Sequence, residues 1–366
     1  MDVEIRNWAN RRVFLTGHTG FKGSWLSLLL AELGAKVTGY SLDPCTDPNL
    51  FDRAEVEQAV DRSIIADIRD YSRLEAAMRE CAPDVVFHLA AQPLVRYSYD
   101  HPVETYSTNV MGTVNVLEAV RQVGGVKAVV AVTSDKCYEN REWVHPYRET
   151  DPMGGRDPYS SSKGCSELVV SAYRNSYFAN HDDAVRTLIA SVRAGNVIGG
   201  GDWSLDRLVP DLVRAFELGE LPIIRSPGAV RPWQHVLEAL TGYVAVAERL
   251  LDGKMEFADA WNFGPCEDDT QAVAWIVNRM AQSWGVASDY LNWDGPVPHE
   301  ANLLRLDSSK ARTALGWRPV LKVEDAIDLI VDWHKSVAGG ANARTVTVGQ
   351  IRKFLSFNQV TTRKAA

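Results

Sequence analysis

The sequence predicts an α/β protein in which a parallel sheet is covered by helices on both faces. Short apolar segments, of which 126–133 is the clearest, alternate along the chain with segments of helical periodicity. Strands buried on both faces appear as unbroken apolar runs, and their alternation with helices is typical of a doubly wound parallel sheet. A cluster of glycines directly follows the first apolar segment, 12–16, and predicts a tight turn into the first helix.

The predicted elements follow one another regularly as far as Asn196. The strands are expected at 12–16, 36–40, 84–89, 126–133 and 185–193. The helices between them are expected at 25–32, 70–80, 103–123 and 159–177. Beyond Asn196 the pattern is less regular, and helices are expected at 207–218, 234–251, 271–284 and 323–337. A smaller second α/β unit is therefore expected in the latter half of the chain.

The composition is that of a soluble globular protein, with 46% hydrophobic and 23% charged residues. The 39 basic and 47 acidic side chains give a net charge of −8, which argues against a nucleic-acid partner. The five cysteines form no C-x-x-C pair, so neither disulfides nor a metal site is expected, and a reducing, cytoplasmic compartment is favoured. Neither a membrane span nor a signal peptide is expected.

The glycine cluster has the spacing G-x-x-G-x-x-G and lies between the first predicted strand and helix. Glycines at this point let backbone N–H groups approach a pyrophosphate, and the helix N-terminus adds positive potential. This context predicts a Rossmann-type dinucleotide site rather than an ordinary tight turn. The expected contacts from the loop are Gly17, Thr19, Gly20, Phe21, Lys22 and Gly23.

The end of the second predicted strand indicates which dinucleotide is bound. Ser41 stands where an acidic residue would be expected, and Asp43 follows two positions later, where it could reach the ribose hydroxyls or simply form a turn before Pro44. No arginine lies nearby to bind a 2′-phosphate, so NAD is favoured over NADP. Asp67 and Ile68 are expected at the adenine edge.

Tyr159 and Lys163 lie at positions i and i+4 of a predicted helix, on one face. An ammonium group beside a phenol favours the phenolate, so the pKa of Tyr159 is expected to be lowered toward neutrality. Such a tyrosine can act as acid or base on a carbinol proton. The alternative is a surface tyrosine beside a solvated lysine.

With these residues the chain resembles the extended short-chain dehydrogenase/reductase family. The matching motifs follow the order of that family: TGHTGFKG (16–23), HLAAQ (88–92), STNVMGT (107–113), TSDK (133–136), YSSSK (159–163) and RAGNVIGGGDW (193–203). The resemblance implies dinucleotide contacts from Leu89, Ala90, Ala91, Thr108, Thr133, Tyr159 and Lys163. It also implies that Ser134 hydrogen-bonds the reacting hydroxyl and that Asn109 belongs to the catalytic framework.

The segment Ser134-Asp135-Lys136 stands where nucleotide-sugar 4,6-dehydratases usually carry Thr-Asp-Glu. The form with lysine resembles the CDP-glucose 4,6-dehydratases, as do segments 91–102, 231–240 and 299–311. The implied reaction oxidises C4 of CDP-glucose, eliminates water across C5 and C6, and reduces C6. Asp135 would be the acid, with a pKa raised by burial, and Lys136 the base, with a lowered pKa. The alternative for these two residues is an ion pair at the end of a strand.

Three functions stay open on the sequence. The first is the 4,6-dehydration of CDP-glucose. The second is a 4-epimerase, or a dehydratase for a UDP-, dTDP- or GDP-hexose. The third is a protein that senses NAD without catalysis, which need not keep the tyrosine–lysine pair. An epimerase needs no acid and base at C6 and C5, so Asp135 and Lys136 favour dehydration.

A diphosphate substrate needs local cations in an acidic protein, and Arg231 is the first candidate because a guanidinium group matches phosphate oxygens. The further substrate contacts are expected from Gln92, Arg96, Asn196, Arg207, Glu300 and Arg305, with Arg193 as a secondary candidate. Trp203 or Trp233 could stack on the base, although tryptophans more often pack in cores.

The resemblance also implies the organisation of the chain. Residues 1–192, with about 234–260, would form the NAD-binding Rossmann domain, 193–233 and 261–350 the substrate-binding domain, and 351–366 a tail. Helices 103–123 and 159–177 would pair across a two-fold axis in a homodimer, with a dimer of dimers as a further expectation. Deoxysugar biosynthesis for the lipopolysaccharide O-antigen is the expected setting.

Overall fold

The computed structural model describes residues 6–178, 186–295 and 303–364. The strands in these residues are β1 (Arg12–Thr16), β2 (Lys36–Ser41), β3 (Arg62–Ile65), β4 (Val85–His88), β5 (Ala128–Val132), β6 (Leu188–Ala194), β7 (Asn196–Ile198), β8 (Ile223–Ile224), β9 (Val230–His235), β10 (Ala260–Phe263), β11 (Thr270–Ala272) and β12 (Leu291–Asn292).

The helices connect these strands and cover the sheets. They are α1 (Phe21–Glu32), α2 (Leu50–Arg53), α3 (Tyr71–Cys81), α4 (Val95–Asp100), α5 (Pro102–Tyr106), α6 (Gly112–Val123), α7 (Pro158–Tyr173), α8 (Leu208–Leu218), α9 (Val236–Leu251), α10 (Val273–Trp284), α11 (Val323–Ala338) and α12 (Ala343–Lys364). A π turn at Ser107–Met111 joins α5 to α6, and another at Arg174–Phe178 follows α7.

Seven strands form the central sheet in the order β3–β2–β1–β4–β5–β6–β10, and every neighbouring pair is parallel. Alternation along β1 divides the core: Val13 and Leu15 pack on one face with α1, α9 and α12, whereas Phe14 packs on the other with α3, α6 and α7. Because both faces are covered, the central strands β4 and β5 are buried along their whole length and almost wholly apolar. The predicted α/β fold with a doubly wound parallel sheet is confirmed.

The latter half of the chain adds a smaller unit beside the carboxyl ends of the large sheet. Strands β11, β9 and β7 form a three-stranded sheet, and β12 pairs with β8 in a two-stranded parallel ladder. A separate apolar core joins α8, α10 and α11 beneath them, through residues such as Leu212, Ile276 and Ile330. Ligands of open α/β proteins bind in the crevice beyond the carboxyl ends of the strands, which is where this unit lies.

The structure differs from the sequence-based expectations at several elements. Residues 234–235 end β9 instead of starting a helix, and the strand β10 and the helix α4 were not predicted. The expected domain boundaries at 192 and 260 fall within β6 and β10 of the large sheet. The predicted tail begins inside α12, where Ile351 and Phe354 are buried against the core.

Three findings concern the described residues as a whole. None of the helices there is long and apolar enough to cross a membrane. No three histidine, cysteine or acidic side chains in that part of the chain lie close enough together to hold a metal ion. The five cysteines are all unpaired.

Candidate active site

The glycine loop between β1 and α1 is shaped as a cradle that a side chain would fill. Gly17 has a φ of +78°, and a Cβ atom there would lie 2.7 Å from the backbone nitrogen of Ala90. A Cβ atom on Gly23 would lie 1.9 Å from the carbonyl oxygen of Gly17. Helix α1 begins without a side-chain cap on Gly20, so its first N–H groups are available to an anion.

The residues predicted to contact the adenosine half follow the ends of β2 and β3. Thr19 Oγ1 donates to the carbonyl oxygen of Leu42 at 2.8 Å and lies 2.8 Å from the hydroxyl of Ser41. Asp43 is exposed just beyond. Asp67 accepts from Nε of Arg69 at 2.8 Å, and Ile68 is buried. These side chains therefore surround the same edge of the sheet as the glycine loop.

Two further predicted cofactor residues lie nearer the second unit. Phe21 and Lys22 are half-buried in the first turn of α1, and Lys22 lines the main cavity. Burial, aided by the charges of Arg207 and Lys163, lowers the pKa of Lys22 to about 7. Lys22 therefore releases its proton more readily than an exposed lysine, and it lines the same cavity as the predicted catalytic residues.

The main cavity opens beyond the carboxyl ends of β4, β5 and β6 and has a volume of about 650 Å³, a size typical of small-molecule sites. It brings together all five predicted catalytic residues, and the predicted cofactor residues Leu89, Ala91 and Thr133 also line it. The catalytic residues are Ser134, Asp135, Lys136, Tyr159 and Lys163. Sequence spacing alone could not have shown that β5 and α7 meet here.

The end of β5 holds the polar groups in a short turn. The Ser134 hydroxyl donates to Oδ1 of Asp135 at 3.0 Å and accepts from the backbone nitrogen of Lys136 at 3.2 Å. Oδ2 of Asp135 is buried without a hydrogen-bond partner. A Cβ atom on Gly195 would lie 3.3 Å from that oxygen, so the absence of a side chain there leaves Oδ2 room on the cavity side.

Burial controls the protonation of this group. It raises the pKa of Asp135, against the opposing charge of Lys136 and the hydrogen bond of Ser134, so that this carboxyl holds its proton more strongly than an exposed aspartate does. It lowers the pKa of Lys163 to about 8. The predicted lowering of the Tyr159 pKa is wrong for this structure: burial raises it to about 12, because the cost of burying a phenolate exceeds the help from Ser134 and Arg207.

A buried ion pair lies directly beneath the catalytic residues and was not assigned from the sequence. Glu167, one helical turn after Lys163, accepts two hydrogen bonds from Arg193 at 2.8 Å each, and both side chains are 4% exposed. The same carboxylate accepts from the hydroxyls of Thr133 and Ser191. Arg193 is therefore a structural cation of the sheet, and its tentative assignment to the substrate is wrong.

The π turn at Ser107–Met111 places Asn109 in the interior between helices. Its amide accepts from the backbone nitrogen of Gln92 at 2.8 Å and donates to Ser162 Oγ at 2.8 Å. The backbone carbonyl oxygen of Asn109 accepts hydrogen bonds from the hydroxyls of Ser166 and Thr113. Thr108 is half-buried in the same turn. Asn109 thus joins the helix α5–α6 to α7 just behind Tyr159 and Lys163.

The predicted substrate residues divide into two groups. The residues that line the main cavity are Arg96, Asn196, Arg207 and Arg231. Gln92 is not among the residues that line it, because its amide bonds Thr105 at 2.8 Å and the backbone nitrogen of Leu94 at 2.5 Å. Arg305 is half-buried, also away from the cavity, and Glu300 lies outside the described residues.

The two tryptophans named as stacking candidates lie in different environments. Trp203 packs edge-on against Trp333, with ring centroids 5.7 Å apart, and belongs to the core. Trp233 lines the cavity but donates its indole N–H to the carbonyl oxygen of Gln271 at 2.9 Å. Trp293, which the sequence did not single out, lines the cavity near its rim with 37% of its surface exposed.

Acidic groups of the cavity were missed as well. Asp202 is 5% exposed and lies 3.5 Å from Arg207, and Asp206 pairs with both Arg96 and Arg225. These residues stand in loops rich in glycine and proline, where no strand or helix period predicts which way a side chain points. The only signal was an excess of arginines around segment 206–231.

Known proteins share this fold and this order of motifs. The family profile of GDP-mannose 4,6 dehydratase matches residues 14–330. The chain is 53% identical to the CDP-glucose 4,6-dehydratase of Salmonella typhimurium, over 97% of this chain and 99% of that protein. The UDP-glucose 4-epimerase of Thermus thermophilus, solved as a complex with NAD, has a TM-score of 0.75 and 26% identity, over 88% of this chain and 99% of that one.

A third relative is the dTDP-glucose 4,6-dehydratase of Bacillus anthracis, solved in complex with NAD. It has a TM-score of 0.74 and 21% identity over 89% of this chain and 97% of that one, and at this identity it supports the fold alone. The family profile and the 53% identical relative each cover most of the chain. The chain therefore belongs to the GDP-mannose 4,6 dehydratase family, a nucleotide-sugar dehydratase branch of the extended short-chain dehydrogenase/reductases.

Proposed function

We propose that this chain converts CDP-glucose to CDP-4-keto-6-deoxyglucose and water, with NAD as a bound cofactor. One observation carries the proposal: a cavity of about 650 Å³ holds both Tyr159 with Lys163 and a buried carboxyl, Asp135, whose Oδ2 has no partner. The first pair suits proton transfer at a carbinol, and the carboxyl suits protonation of a leaving hydroxyl. Identity of 53% to a CDP-glucose 4,6-dehydratase supports cytidine as the nucleoside.

The residues around the glycine loop fit NAD. The cradle over Gly17 and Gly23 has no room for a Cβ atom, the uncapped start of α1 offers N–H groups, and the ammonium end of Lys22, whose pKa is lowered to about 7, belongs to a residue that lines the cavity. No arginine lies close to Asp43 in the sequence, and its carboxylate suits a ribose with an unmodified 2′-hydroxyl. When bound, NAD would take up a hydride from C4 and return it at C6, so that the cofactor is regenerated and the net products are CDP-4-keto-6-deoxyglucose and water.

Tyr159 and Lys163 would together move the proton of the 4-hydroxyl. A phenol with a pKa of about 12 stays protonated at neutral pH, so Tyr159 needs a proton acceptor beside it when the hydroxyl reacts. Lys163 meets this need, because its pKa of about 8 lets it release and take up protons near neutrality. Ser134 would fix the substrate hydroxyl by redirecting to it the hydrogen bond that its own hydroxyl donates to Oδ1 of Asp135.

Asp135 and Lys136 would carry out the elimination. Formation of a ketone at C4 acidifies the proton on C5, which Lys136 would remove from its half-buried position at the cavity wall. The neutral Asp135 would protonate the departing 6-hydroxyl through Oδ2. The diphosphate would lie against Arg231 and Arg207, which act electrostatically on Asp135 and on Tyr159 respectively and so stand near the chemistry.

The test is to incubate the purified protein and NAD with CDP-, UDP-, dTDP- and GDP-glucose and to follow product mass. Loss of one water from CDP-glucose, without net reduction of NAD, is the expected result. Asp135→Asn should oxidise C4 but stop there, so that reduced cofactor accumulates. Asp202→Asn, a matched change of another buried acid in the cavity, should raise KM without trapping reduced cofactor. Normal turnover by Asp135→Asn would exclude the acid role.

A 4-epimerase is the second candidate, because the chain is 26% identical to the Thermus thermophilus UDP-glucose 4-epimerase. The same experiment separates the two functions, since an epimerase changes the sugar and keeps its mass. An epimerase has no use for a protonated carboxyl beside C6. Asp135, buried with a raised pKa, therefore favours the dehydratase.

We also propose a homodimer formed by the two long helices. Exposed apolar side chains lie on α7 (Leu168) and on the helical segment that leads into α6, namely Val103 in α5 and Met111 in the π turn; 60%, 82% and 52% of their surfaces are exposed. Light scattering coupled to gel filtration should give twice the chain mass, and Leu168→Glu should give the monomer. A monomeric wild type would overturn this assembly. Cytoplasmic location and supply of deoxysugar for the O-antigen rest on the resemblance and remain part of the proposal.

A further inference from the structure

The rim of the cavity carries a charged cluster that the proposed mechanism does not use. Oδ1 of Asp206 accepts hydrogen bonds from Nη1 of Arg96 at 2.7 Å and from Nη1 of Arg225 at 3.0 Å. Nη2 of Arg225 donates to the backbone oxygen of Asp206 at 2.9 Å. These three residues and Trp293 line the same cavity as Tyr159. A carboxylate and a guanidinium group thus stand side by side at the wall of the cavity.

The fold fixes this arrangement through the ladder of β8 and β12. The strands pair in parallel with Asn292 opposite Ile224, and the backbone nitrogen of Trp293 donates to the carbonyl oxygen of Ile224 at 3.0 Å. Arg225 and Trp293 therefore follow neighbouring strand ends. The guanidinium group of Arg96 lies 6.0 Å from the centre of the Trp293 ring and borders the cluster on the side of α4.

Asp206 is held in an unusual backbone conformation, with a φ of +59°. Non-glycine residues adopt this left-handed region rarely and at a cost in free energy, which the surrounding structure must offset. The hydrogen bonds of Arg225 to both the carboxylate and the backbone oxygen of Asp206 provide that support. The carboxylate is therefore fixed in direction, and its other oxygen, Oδ2, bonds no side chain in the described part of the chain.

The neighbours of the cluster indicate which part of a nucleotide sugar would reach it. Arg207, the next residue, acts electrostatically on Tyr159 and Lys22 and lies 3.5 Å from the buried Asp202. Asp206 and Arg96 stand toward the rim, with side chains 41% and 42% exposed against 35% for Arg207, and Arg225 adjoins Asp206 with 22% of its side chain exposed. A substrate with its sugar at Tyr159 and its diphosphate at Arg207 would extend its nucleoside toward the rim.

We propose that Asp206 and Arg225 recognise the base of the nucleotide sugar and select cytosine. This inference rests on the proposed function and extends it to the choice of nucleotide. A carboxylate only accepts hydrogen bonds and a guanidinium group only donates them. Cytosine offers the matching edge, because its amino group donates while its N3 and O2 atoms accept. Aspartate is a known acceptor for the amino group of cytosine.

The same pair rejects uracil and thymine. Both bases present a carbonyl oxygen where cytosine has its amino group and an N–H where cytosine has its acceptor nitrogen. The carboxylate of Asp206 would face that oxygen, and the guanidinium group of Arg225 would face that N–H, so both contacts become repulsive. Unpaired polar groups of this kind give strong discrimination between otherwise similar ligands. Guanine could offer its own donors to the carboxylate, so the test includes it.

The experiment measures the binding of free CDP, UDP, dTDP and GDP to the enzyme with NAD, by calorimetry, so that it does not depend on turnover. The wild type should bind CDP about tenfold or more tightly than UDP. Asp206→Asn should reduce the ratio of the two dissociation constants by about tenfold, because an amide can also donate to uracil. Asparagine tolerates a positive φ, so this variant keeps the backbone of the loop. Arg225→Gln should reduce the ratio as well.

Arg96→Gln is the matched control, since Arg96 pairs with the same carboxylate from the side of α4, and it should leave the CDP:UDP ratio unchanged. Equal weakening of all four nucleotides by Asp206→Asn, or no preference for CDP in the wild type, would overturn the inference. A ratio that responds as expected in a protein that fails to dehydrate CDP-glucose would refute the proposed function alone. Dehydration of CDP-glucose with a ratio that does not respond would refute this inference alone.

Discussion

The inner end and the rim of the cavity are built in different ways. At the inner end Ser134, Asp135 and Lys163 are 7%, 3% and 6% exposed, and they stand on the end of β5 and the first turns of α7. At the rim the side chains of Arg96 and Asp206 are 42% and 41% exposed, and they stand on a short helix and a loop. Burial shifts protonation equilibria and strengthens electrostatic effects, which suits chemistry. Exposure keeps the charged recognition groups solvated, so holding them ready for a ligand costs little free energy.

The largest expected effect comes from the inner end. Tyr159→Phe removes the hydroxyl that moves the C4 proton and leaves the ring in place, so kcat for dehydration should fall by roughly 10²–10⁴-fold. Steady-state kinetics with CDP-glucose measures the fall, and calorimetry with CDP should show unchanged affinity. A variant that keeps kcat within a factor of a few would place the proton transfer on another group.

Next comes the ion pair beneath the inner end. Glu167→Gln leaves the guanidinium group of Arg193, 4% exposed, without its counter-charge. Breaking a buried pair in this way should lower the free energy of unfolding by about 3–5 kcal/mol. Urea denaturation followed by fluorescence measures the change. A loss below about 1 kcal/mol, the range of exposed pairs, would contradict the structural role assigned to the pair.

Replacing a buried carboxyl group that has no cationic partner in the described residues should have the opposite effect on stability from Glu167→Gln. Glu238 at the start of α9 accepts from the backbone nitrogens of Val320 and Leu321 at 2.8 and 2.6 Å, and burial raises its pKa to about 8. A raised pKa in the folded state means that its stabilising contribution is complete below the unfolded pKa, about 4.5, and is lost as pH rises to about 8.

Glu238→Gln keeps both hydrogen bonds and removes this titration. Its stability relative to the wild type should therefore increase between about pH 4.5 and 8, by at most about 1.4 kcal/mol per pH unit, and stay constant above that range. Urea denaturation at a series of pH values measures the difference. A difference independent of pH would mean that the carboxylate is charged in the folded protein throughout.

The smallest effect is expected at the rim. Arg96→Gln removes an ion pair whose two side chains are about two-fifths exposed, 42% and 41%, so the free energy of unfolding should change by less than about 0.5 kcal/mol. Thermal and urea unfolding of this variant and of Glu167→Gln, measured side by side, compares how much the rim and the inner end of the cavity contribute to stability. A large loss from Arg96→Gln would mean that the rim carries part of the stability of the fold.

The sequence was informative where a short motif is held by a regular element. The glycine loop, Ser134 to Lys136 and the Tyr159–Lys163 pair could all be named as candidates, because a strand end or a helical turn fixes the direction of each side chain, and the five predicted catalytic residues line one cavity. The pKa of Tyr159 could not be predicted, since the burial that raises it depends on how α7 docks against β5. Gln92 and Arg193 belong to motifs but turn inward, toward Thr105 and Glu167.

The rim could not be predicted for a different reason. Arg96, Asp206, Arg225 and Trp293 come from four separate segments, and no sequence period relates them. Arg225 and Trp293 are brought together only by the pairing of β8 with β12, each of which is two residues long. Such contacts depend on tertiary structure alone, so beyond Arg96, which was expected as a substrate contact, an excess of arginines was the most that the sequence could indicate.

The π turn at Ser107–Met111 has a consequence for local opening of the molecule. Because the carbonyl oxygen of Asn109 accepts from hydroxyls on both α6 and α7, and its amide bonds Ser162, the two long helices share hydrogen bonds that neither can satisfy alone. Amide hydrogen exchange should therefore protect both helices to a similar degree, as a single cooperative unit. Tyr159 and Lys163 would then leave their places only when the whole pair of helices separates from the sheet.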